Sequence, residues 1–313
     1  MNQTKEKTVK KENAVKYGGK AAKIAQAKAT GKIKNSFADQ TTSTETKLTL
    51  EEKATPPTEK PVKKSALAVV DKTLFLEAFS KFIAEMGVEL SPKACEQMAD
   101  YYEILVETNR VMNLTGIVEP VEVAEKHMAD SLRILPYIND NSIKTPAKII
   151  IDVGTGAGLP GIPLAIALPD VKVILLDSQK KRCDFLEKTC KTLGLTNTQV
   201  VWGRAEEIAH KEDFREKSHF AVARAVAPMP ILLEYLSPFV APNGRIIAMK
   251  GSNVAEEIAE SKSAAKELNA EPLEVQEYTL VTGEKRSLAV WKKINLVKKK
   301  YPRNSGQIKK KPL

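Results

Sequence analysis

The sequence predicts an α/β protein with a mostly parallel sheet covered by helices on both faces. From Lys148 onward, short runs rich in Val, Ile and Leu alternate with windows of helical periodicity, and this alternation is typical of parallel sheets with crossover connections. The strand candidates are almost continuously apolar, as in Ile149-Ile150-Ile151, which is expected of strands buried on both faces. The 313 residues allow one large or two small domains.

Residues 1–70 are predicted to be a disordered, Lys-rich extension. They contain only two aromatic residues, Tyr17 and Phe37, and too little apolar surface to offset the entropy lost on ordering. Three prolines near the end of the extension, Pro56, Pro57 and Pro61, indicate a linker. The first compact element is therefore expected near Lys72.

Residues 71–145 are predicted to form a helical preface to the sheet. Apolar residues recur there at helical spacing, namely Leu74, Ala78, Phe79, Phe82 and Ile83. Ser91 followed by Pro92 matches the residue types favoured at the N-cap and first position of a helix. A second helix is therefore expected from Pro92 to about Val111.

Residues 146–295 are predicted to be the core, which places the whole compact domain at 71–295. Five strands are predicted at 148–153, 171–177, 198–201, 220–223 and 245–250. Intervening helices are predicted at 162–168, 178–193, 205–210 and 228–239. One more helix at 254–268 and two closing strands at 273–281 and 287–292 would complete a seven-stranded sheet. Residues 296–313 would follow as a basic tail.

The net charge of +10 lies in the two ends of the chain. Residues 1–70 contain 15 Lys, no Arg and 7 acidic residues, and residues 292–313 contain 8 Lys, one Arg and no acidic residue. Such ends are typical of arms that bind nucleic-acid phosphates, and solvated charged tails are the alternative. We favour RNA contact for residues 292–313 and leave both interpretations open for residues 1–70.

Several protein classes are excluded or disfavoured by composition. No run of about 18 apolar residues is present, so no membrane-spanning helix is predicted. The three cysteines, Cys95, Cys183 and Cys190, form no C-x-x-C pair, which argues against a disulfide framework or a metal site. The N-terminus lacks the apolar stretch of a secretory signal. A cytoplasmic protein without a membrane partner is expected.

The strongest local signal is a glycine-rich loop that follows the first predicted strand and leads into a helix. Residues 151–161 read Ile-Asp-Val-Gly-Thr-Gly-Ala-Gly-Leu-Pro-Gly. Glycine is needed where a tight turn requires positive φ or where a ligand approaches the backbone closely. The loop therefore predicts a ligand site, and a structural turn without a ligand is the less favoured interpretation.

Two ligand classes fit the loop, and the glycines alone do not decide between them. Gly156, Gly158 and Gly161 match the G-x-G-x-x-G pattern of dinucleotide sites, with Asp177 about 20 residues further on. Asp152 with Gly154, Gly156 and Gly158 equally matches the pattern of S-adenosylmethionine sites. Asp152 favours S-adenosylmethionine, because its carboxylate can hold the ammonium of the methionine portion but would repel the diphosphate of NAD.

Motifs along the rest of the chain resemble one family. They are 152–163 in the glycine loop, Leu176-Asp177-Ser178 with Lys181-Arg182, Gly203-Arg-Ala-Glu206, Ala223-Arg224-Ala225, Asn109-Arg110-Val-Met-Asn113-Leu-Thr115, His127-Met-Ala-Asp130-Ser131, Lys250-Gly251, Arg286-Ser-Leu-Ala-Val-Trp291-Lys292 and Lys300-Tyr-Pro-Arg303. With them, residues 71 to 313 are similar to the ribosomal RNA small subunit methyltransferase G family, also called glucose-inhibited division protein B. The N-terminal extension has no counterpart in that resemblance.

The resemblance implies a Rossmann-like class I methyltransferase fold and S-adenosylmethionine as the cofactor. It also implies methyl transfer to N7 of one guanine in small-subunit (16S) rRNA. In this family, the cofactor pocket is formed by the residues that match Gly154, Leu159, Ala205, Glu206 and Arg224. The resemblance implies that Asp177 would hold the ribose hydroxyls and that Ala205 and Glu206 would flank the adenine. Together with the glycine loop, the predicted cofactor residues are Asp152, Gly154, Gly156, Gly158, Leu159, Asp177, Ala205, Glu206 and Arg224.

Two other methylation chemistries are disfavoured by residues that the sequence lacks. Methylation of pyrimidine C5 commonly needs a cysteine near the fourth or sixth strand, but no cysteine follows Cys190. Enzymes that act on exocyclic amines commonly carry a D/N-P-P-aromatic turn, whereas Ala223-Arg224-Ala225-Val226 stands there. Guanine N7 presents a free lone pair and loses no proton on methylation. No general base is therefore expected, and catalysis can be mostly positioning.

The residues predicted to face RNA are Arg110, Asn113, His127, Lys250 and Arg286. A structural role is the alternative for two of them. His127 is expected on a polar helix, where Asp130 or Ser131 on the next turn would be its hydrogen-bond partner. Asn113 is equally suited to the end of a helix.

The expected partner is 16S rRNA or a small-subunit particle, and the expected state is a monomer. One alternative is a non-catalytic rRNA-binding or assembly factor, and another is a methyltransferase that acts on a small molecule or a protein. An NAD-dependent dehydrogenase is less favoured, because no hydride-transfer acid or base is evident. Trp202 and Trp291 are expected to pack inside the protein, with base stacking as the alternative.

Overall fold

The computed structural model describes residues 69–313, except 141, 144 and 146. The predicted disorder of residues 1–70 lies almost entirely outside these described residues. Helix α1 spans Lys72–Glu85 and helix α2 spans Pro92–Asn109. The Ser91 side chain accepts a hydrogen bond from the Ala94 N–H, so the predicted N-cap is confirmed. Within the described residues, no helix has the length and hydropathy needed to cross a membrane.

The next helical run, α3, occupies residues 120–132 and changes its winding along its length. It is α-helical over Pro120–Val123, π-helical over Ala124–Ala129 and α-helical again over Asp130–Leu132. Helix α4 follows at Leu135–Asn139. π-Helical segments are rare and often lie at functional sites, and this one contains His127.

Seven strands form one sheet in the order β3-β2-β1-β4-β5-β7-β6. They are β1 Ile149–Val153, β2 Lys172–Asp177, β3 Thr198–Trp202, β4 Ser218–Arg224, β5 Val240–Lys250, β6 Ala270–Thr279 and β7 Lys285–Lys293. The first five strands pair in parallel, and β7 runs antiparallel to β5 and β6. The predicted seven-stranded, mostly parallel sheet is confirmed.

The remaining helices connect or flank these strands. They are α5 Gly161–Ala167, α6 Lys180–Thr192, α7 Ala205–Ile208, α8 Met229–Leu236, α9 Val254–Glu260, α10 Lys262–Glu267 and α11 Ser305–Lys310. The prediction of a single helix at 254–268 was wrong, because the helix is interrupted at Ser261 and forms two short helices.

Strand β5 begins at Val240 rather than at the predicted residue 245. Pro242, Asn243 and Gly244 are residue types typical of turns, so the sequence gives no strand signal before Arg245. The structure accommodates them in an irregular stretch of the β4–β5 pair, whose register shifts between Ser218 and Phe220. Asn243 adopts a positive φ of 69° there, a conformation that asparagine tolerates better than most residues.

Buried apolar residues form a cluster on each face of the sheet. Ile150 belongs to the cluster beneath α1–α6, whereas its neighbour Ile151 belongs to the cluster beneath α8. Adjacent strand residues point to opposite faces, so the alternation confirms a sheet covered on both sides. Phe75 illustrates how the helical preface joins this core, since its ring stacks on Tyr102 and is fully buried.

The C-terminal tail packs on the domain instead of extending from it as the arm that its charge suggested. Val297, Tyr301 and Ile308 are buried. Lys293, which the sequence analysis counted with the basic end, terminates β7 and has no exposed surface. Burial lowers the pKa of Lys293 to about 8. RNA contact by the outward lysines of the tail remains a prediction.

Candidate active site

A cleft of about 330 Å³ opens at the carboxyl ends of the parallel strands. Strand β1 lies between β2 and β4, so the connections after β1 and β4 diverge to opposite faces of the sheet. Ligands of open α/β sheets bind at this point. The cleft is bounded by Gly154 after β1, Asp177 at the end of β2 and Glu206 after β3.

The glycine loop brings bare backbone to the wall of the cleft. Gly154 has φ of 72°, and a Cβ added to it would lie 2.9 Å from Cγ2 of Val226. Gly158 has φ of 99°, and a Cβ there would lie 2.5 Å from Cδ1 of Ile162 in helix α5. The first glycine therefore opens the cleft, and the other permits close packing of the helix that follows.

Asp152 lies behind the loop and orders it. Its Oδ2 accepts hydrogen bonds from the Thr155 hydroxyl (2.6 Å) and from the Gly161 N–H (2.8 Å). Its Oδ1 is buried without a hydrogen-bond partner, and burial raises the pKa of the Asp152 carboxyl to about 7. Asp152 is not part of the cleft wall. Its predicted contact with an ammonium group remains a prediction, and its observed bonds support the loop.

Asp177 joins the glycine loop to strand β2 and lines the cleft. Its Oδ2 accepts the Gly156 N–H (2.9 Å), its Oδ1 accepts the Gln179 N–H (2.8 Å), and Arg182 Nη1 lies 3.7 Å from Oδ2. Each carboxylate oxygen has two lone pairs, so both oxygens retain capacity to accept a hydrogen bond from a ligand. This geometry suits the predicted ribose contact.

The sequence-predicted cofactor residues divide into two groups in the structure. Gly154, Asp177, Ala205 and Glu206 line the cleft together. The others support it from outside the wall or lie in a neighbouring cavity; they are Asp152, Gly156, Gly158, Leu159 and Arg224. Their roles as direct contacts stay predictions.

One side of the cleft is formed by residues that were not predicted from the sequence. Helix α8 contributes Ile231 and Tyr235, and the C-terminal segment contributes Ser305 and Lys309. The apolar periodicity of α8 indicated a helix but not its ligand-facing side. The tail had been assigned by charge alone, and its buried anchors are too sparse to be recognised in a Lys-rich stretch.

The cleft fits S-adenosylmethionine. Its volume of about 330 Å³ lies in the range of small-molecule sites. Asp177 offers acceptors for ribose hydroxyls, Gly154 offers open backbone, and Ile231 and Tyr235 offer apolar surface for an adenine ring. Among the described residues, no group of three or more His, Cys, Asp or Glu side chains could hold a metal ion.

A second cavity of about 390 Å³ adjoins the cleft and shares Val226, Ala227 and Pro228 with it. Its remaining wall is strongly charged and comes from α3, β4, β5, α9, β6 and β7. The ionisable residues are Asp130, Arg224, Lys250, Glu257, Tyr278 and Arg286. A group held there would lie directly beside the contents of the cleft.

Arg224 is the last residue of β4 and is held by the π-helical segment of α3. Its Nη1 donates to the Lys126 carbonyl oxygen (3.0 Å), its Nη2 lies 3.5 Å from His127 Nδ1, and its Nη1 lies 3.9 Å from Asp130 Oδ2. Burial and the Arg224 charge lower the pKa of His127 to about 3. His127 is therefore neutral at physiological pH.

The predicted partners of the His127 ring were wrong. Its Nε2 lies 2.7 Å from the Thr115 hydroxyl oxygen, whereas the Ser131 hydroxyl donates to the His127 backbone carbonyl. With Nδ1 accepting from Arg224, the network assigns the ring proton to Nε2. His127 is only 6% exposed, so it supports Arg224 and does not lie on a polar surface.

Two of the other residues predicted to face RNA line the charged cavity. Lys250 donates to the Ala227 carbonyl (2.7 Å) and pairs with Glu257, while Arg286 pairs with Glu284. Arg110 follows α2, and Asn113 lies in the turn after it. Neither of these two lines the cavity.

Tyr278 lines the charged cavity, and Trp202 lies beside the cleft. The Tyr278 hydroxyl donates to Asp130 Oδ1 (2.6 Å), and burial raises the pKa of the Asp130 carboxyl. Trp291 is buried as expected, but Trp202 is 60% exposed, so its predicted packing role was wrong. Trp202 ends the edge strand β3, and its indole N–H donates to the Ser178 carbonyl beside the cleft.

Comparisons with known proteins identify the family. Residues 94–289 match the model of the rRNA small subunit methyltransferase G (GidB) family. Ribosomal RNA small subunit methyltransferase G of Leuconostoc mesenteroides is 40% identical over 237 residues, which cover 76% of this chain and 98% of that protein. The enzyme of the same name from a Thermoanaerobacter species is 45% identical over 230 residues, covering 73% and 94%.

Solved structures match with lower similarity. Geranyl diphosphate C-methyltransferase from Streptomyces coelicolor matches with a TM-score of 0.40 and 12% identity, over 53% of this chain and 79% of that one. The fibrillarin pre-rRNA processing protein of Methanococcus jannaschii matches with a TM-score of 0.40 and 14% identity, over 49% and 70%. The family assignment rests on the sequence matches, which confirm the predicted resemblance: the chain belongs to the rRNA small subunit methyltransferase G family and is an S-adenosylmethionine-dependent methyltransferase.

Proposed function

We propose that this protein methylates N7 of one guanine in small-subunit (16S) rRNA, with the cofactor in the cleft and the base in the adjoining charged cavity. The observation that carries the proposal is the shared wall, Val226 to Pro228, between the two spaces. Transfer in line requires donor and acceptor to be neighbours, and these two spaces are neighbours. Family membership supports rRNA as the substrate class.

The charges of the cavity suit guanine. Guanine presents acceptors at O6 and N7 and a donor at its N2 amine. Arg224, Lys250 and Arg286 are the donors of the cavity, and the Asp130 carboxylate is an acceptor. We assign the cationic groups to O6 and Asp130 to the amine edge, which leaves N7 free to face the cleft. Adenine is disfavoured, because its N6 amine is a donor and would face the cationic groups.

The chain is proposed to catalyse the reaction by positioning. The bound cofactor supplies an electrophilic methyl group, and N7 needs no deprotonation to accept it. Arg224 is fixed at two atoms by Lys126 and His127, so it holds the base without reorganising. Holding two reactants in an aligned geometry can contribute about 7–11 kcal/mol to lowering the barrier. No side chain is assigned as a general base.

We infer a cytoplasmic monomer in which residues 71–295 form one catalytic domain. The substrate is either naked 16S rRNA or a small-subunit particle, because an exposed guanine in either would fit the cavity. The base would have to leave its stack to enter.

The test is methylation of rRNA by the purified full chain with isotopically labelled S-adenosylmethionine. Naked 16S rRNA and small-subunit particles, both from cells lacking the protein, are incubated separately and digested for mass spectrometry. We expect one labelled 7-methylguanosine, and strand cleavage at that site after borohydride and aniline treatment. Label on another atom, on protein only, or no label despite rRNA binding would refute the proposal.

A further inference from the structure

The C-terminal segment, residues 297–313, is built into the domain by a partly buried ion pair between Arg303 and Glu234. Arg303 donates from its backbone N–H and Nε to Glu234 Oε1 (both 2.9 Å) and from Nη2 to Oε2 (2.6 Å). Glu234 lies on α8 and has no exposed surface. Bidentate pairs of this kind fix both position and orientation, so residue 303 is held in one place.

A second set of bonds ties the beginning of the segment to the loop after α7. Arg215 donates to the backbone carbonyls of Val297 (3.0 Å) and Tyr301 (2.8 Å). Glu216 accepts the Val297 N–H (2.7 Å), and His210 Nε2 lies 2.8 Å from the Pro302 carbonyl oxygen. These are bonds to the backbone, which order the path of the chain independently of its Lys side chains.

The anchored segment ends beside the cofactor cleft. Ser305 and Lys309, one turn apart on α11, line the same cleft as Asp177 and Glu206. Tyr235 lines the same side and follows Glu234 in α8, so one helix both forms that side and holds the segment. Neither Ser305 nor Lys309 reaches the charged cavity. They share the cleft with Asp177 and Glu206, the residues predicted to contact the ribose and the adenine.

We propose that the C-terminal segment is part of the cofactor site, with Ser305 and Lys309 contacting the adenosine half and Arg303 acting as their positioning residue. The inference rests on the proposed placement of the cofactor in the cleft. The Lys309 ammonium has three donors and no acceptor, and adenine nitrogens and ribose oxygens are acceptors. The segment thus serves the cofactor, in addition to any RNA contact by its outward lysines.

The first test compares Lys309→Ala with Lys310→Ala by calorimetric titration. Lys310 follows on the same exposed helix but does not line the cleft, so the two variants change charge equally. The ligands are S-adenosylmethionine and 5′-methylthioadenosine, which keeps the adenosine half but lacks the amino acid. We expect Lys309→Ala to weaken both ligands about three- to tenfold and Lys310→Ala to weaken neither.

Equal effects of the two variants, no effect of Lys309→Ala, or weakening of S-adenosylmethionine alone would overturn the inference. The wild-type titration separates this outcome from a failure of the proposed function. If the wild-type chain binds neither ligand, or if Gly154→Asp leaves binding unchanged, the cleft itself is misassigned. If the wild type binds both ligands but Lys309→Ala and Lys310→Ala have equal effects, the cofactor binds in the cleft without contacts from the C-terminal segment.

The second test asks whether the segment and the cofactor stabilise each other. In hydrogen exchange on the full chain, saturating S-adenosylmethionine is expected to slow exchange of the amides of residues 305–311. Glu234→Gln weakens the ion pair, so we expect faster exchange there and weaker binding of both ligands. A purely structural anchor predicts faster exchange with unchanged affinity and no protection by the cofactor. That pattern would contradict the inference.

Discussion

The cleft and the charged cavity are neighbours built by opposite strategies. The cleft is formed largely by backbone and small or apolar side chains that follow successive strands. Its charged members are two acidic and two basic residues, Asp177, Glu206, Arg204 and Lys309. The cavity is enclosed by ionisable side chains from segments as far apart as Asp130 and Arg286. A small neutral adenosine and a base within a polyanion make different demands, and each space matches one of them.

The comparison also separates two kinds of support. At the glycine loop beside the cleft, Asp152 and Asp177 accept backbone N–H groups and so fix the loop. In the cavity, Arg224 donates to a backbone carbonyl of a π-helical segment and so fixes a side chain. Substitutions that disturb the glycine loop should therefore abolish cofactor binding. Substitutions that disturb Arg224 should impair methyl transfer while the cofactor still binds.

The largest effect is expected from Gly154→Asp. The new side chain would meet Val226 and hold a residue at φ of 72°, which L residues rarely adopt. It would also place a carboxylate in the cleft. We expect the affinity for S-adenosylmethionine to fall by more than about 100-fold, because the positive φ strains the loop and the added carboxylate occupies space that the cofactor needs. Isothermal titration calorimetry measures the change.

Gly283→Asp is the matched control for that variant. Gly283 has φ of 86° in the turn between β6 and β7, and nothing lies within 4 Å of an added Cβ. It carries a similar backbone strain without touching the cleft. Comparable loss of cofactor affinity in both variants would mean that the effect is global destabilisation, and the division between the two spaces would lose its support.

The next effect is expected from Arg224→Ala, which should lower kcat about 100-fold while changing S-adenosylmethionine affinity less than about threefold. The guanidinium lines the cavity but not the cleft. Arg182 lies near Asp177 on the cofactor side, so Arg182→Ala should weaken S-adenosylmethionine binding more than it lowers kcat. Single-turnover methylation and calorimetry give the two quantities. Weak cofactor binding by Arg224→Ala, in protein with normal thermal unfolding, would place this residue in the cofactor site.

The cleft could be predicted from the sequence better than the charged cavity could. The strands and the glycine loop are local patterns, and the order of β1, β2 and β4 then places Gly154 and Asp177 together. The cavity needs contacts between distant segments, and the π-helical winding that turns His127 toward Arg224 leaves no periodic signal. The Lys-rich composition hid the buried anchors of the C-terminal segment, because Val297, Tyr301 and Ile308 are widely spaced in a charged stretch.

A smaller effect concerns the ionisation of Asp152 and tests the loop support directly. Burial raises the pKa of its carboxyl from 3.8 to about 7 in the folded protein. The folded state therefore favours the protonated form, and this contribution to stability is lost as pH rises from about 4 through 7. Asp152→Asn removes the titration. We expect the unfolding free energy of wild type relative to this variant to fall by up to about 1.4 kcal/mol per pH unit in that window.

Urea unfolding without cofactor at pH 5, 6 and 7 measures this difference. Asp184→Asn, at an exposed carboxylate of α6 that pairs with Lys180, controls for the loss of one negative charge. A wild-type curve parallel to that of Asp152→Asn would show that the Asp152 carboxylate is not forced to ionise at a cost. The burial of Asp152 would then not raise the pKa of its carboxyl.

The smallest effect is expected from Tyr278→Phe, which removes the hydrogen bond to Asp130 (2.6 Å) but keeps the ring under Arg133. Loss of one such bond is worth about 1 kcal/mol, so kcat/KM for rRNA should fall about fivefold with cofactor affinity unchanged. Tyr137→Phe is the control, since that hydroxyl bonds Gln276 outside the cavity. An equal fall in both variants would assign the effect to packing of β6, and Asp130 would lose its place in base recognition.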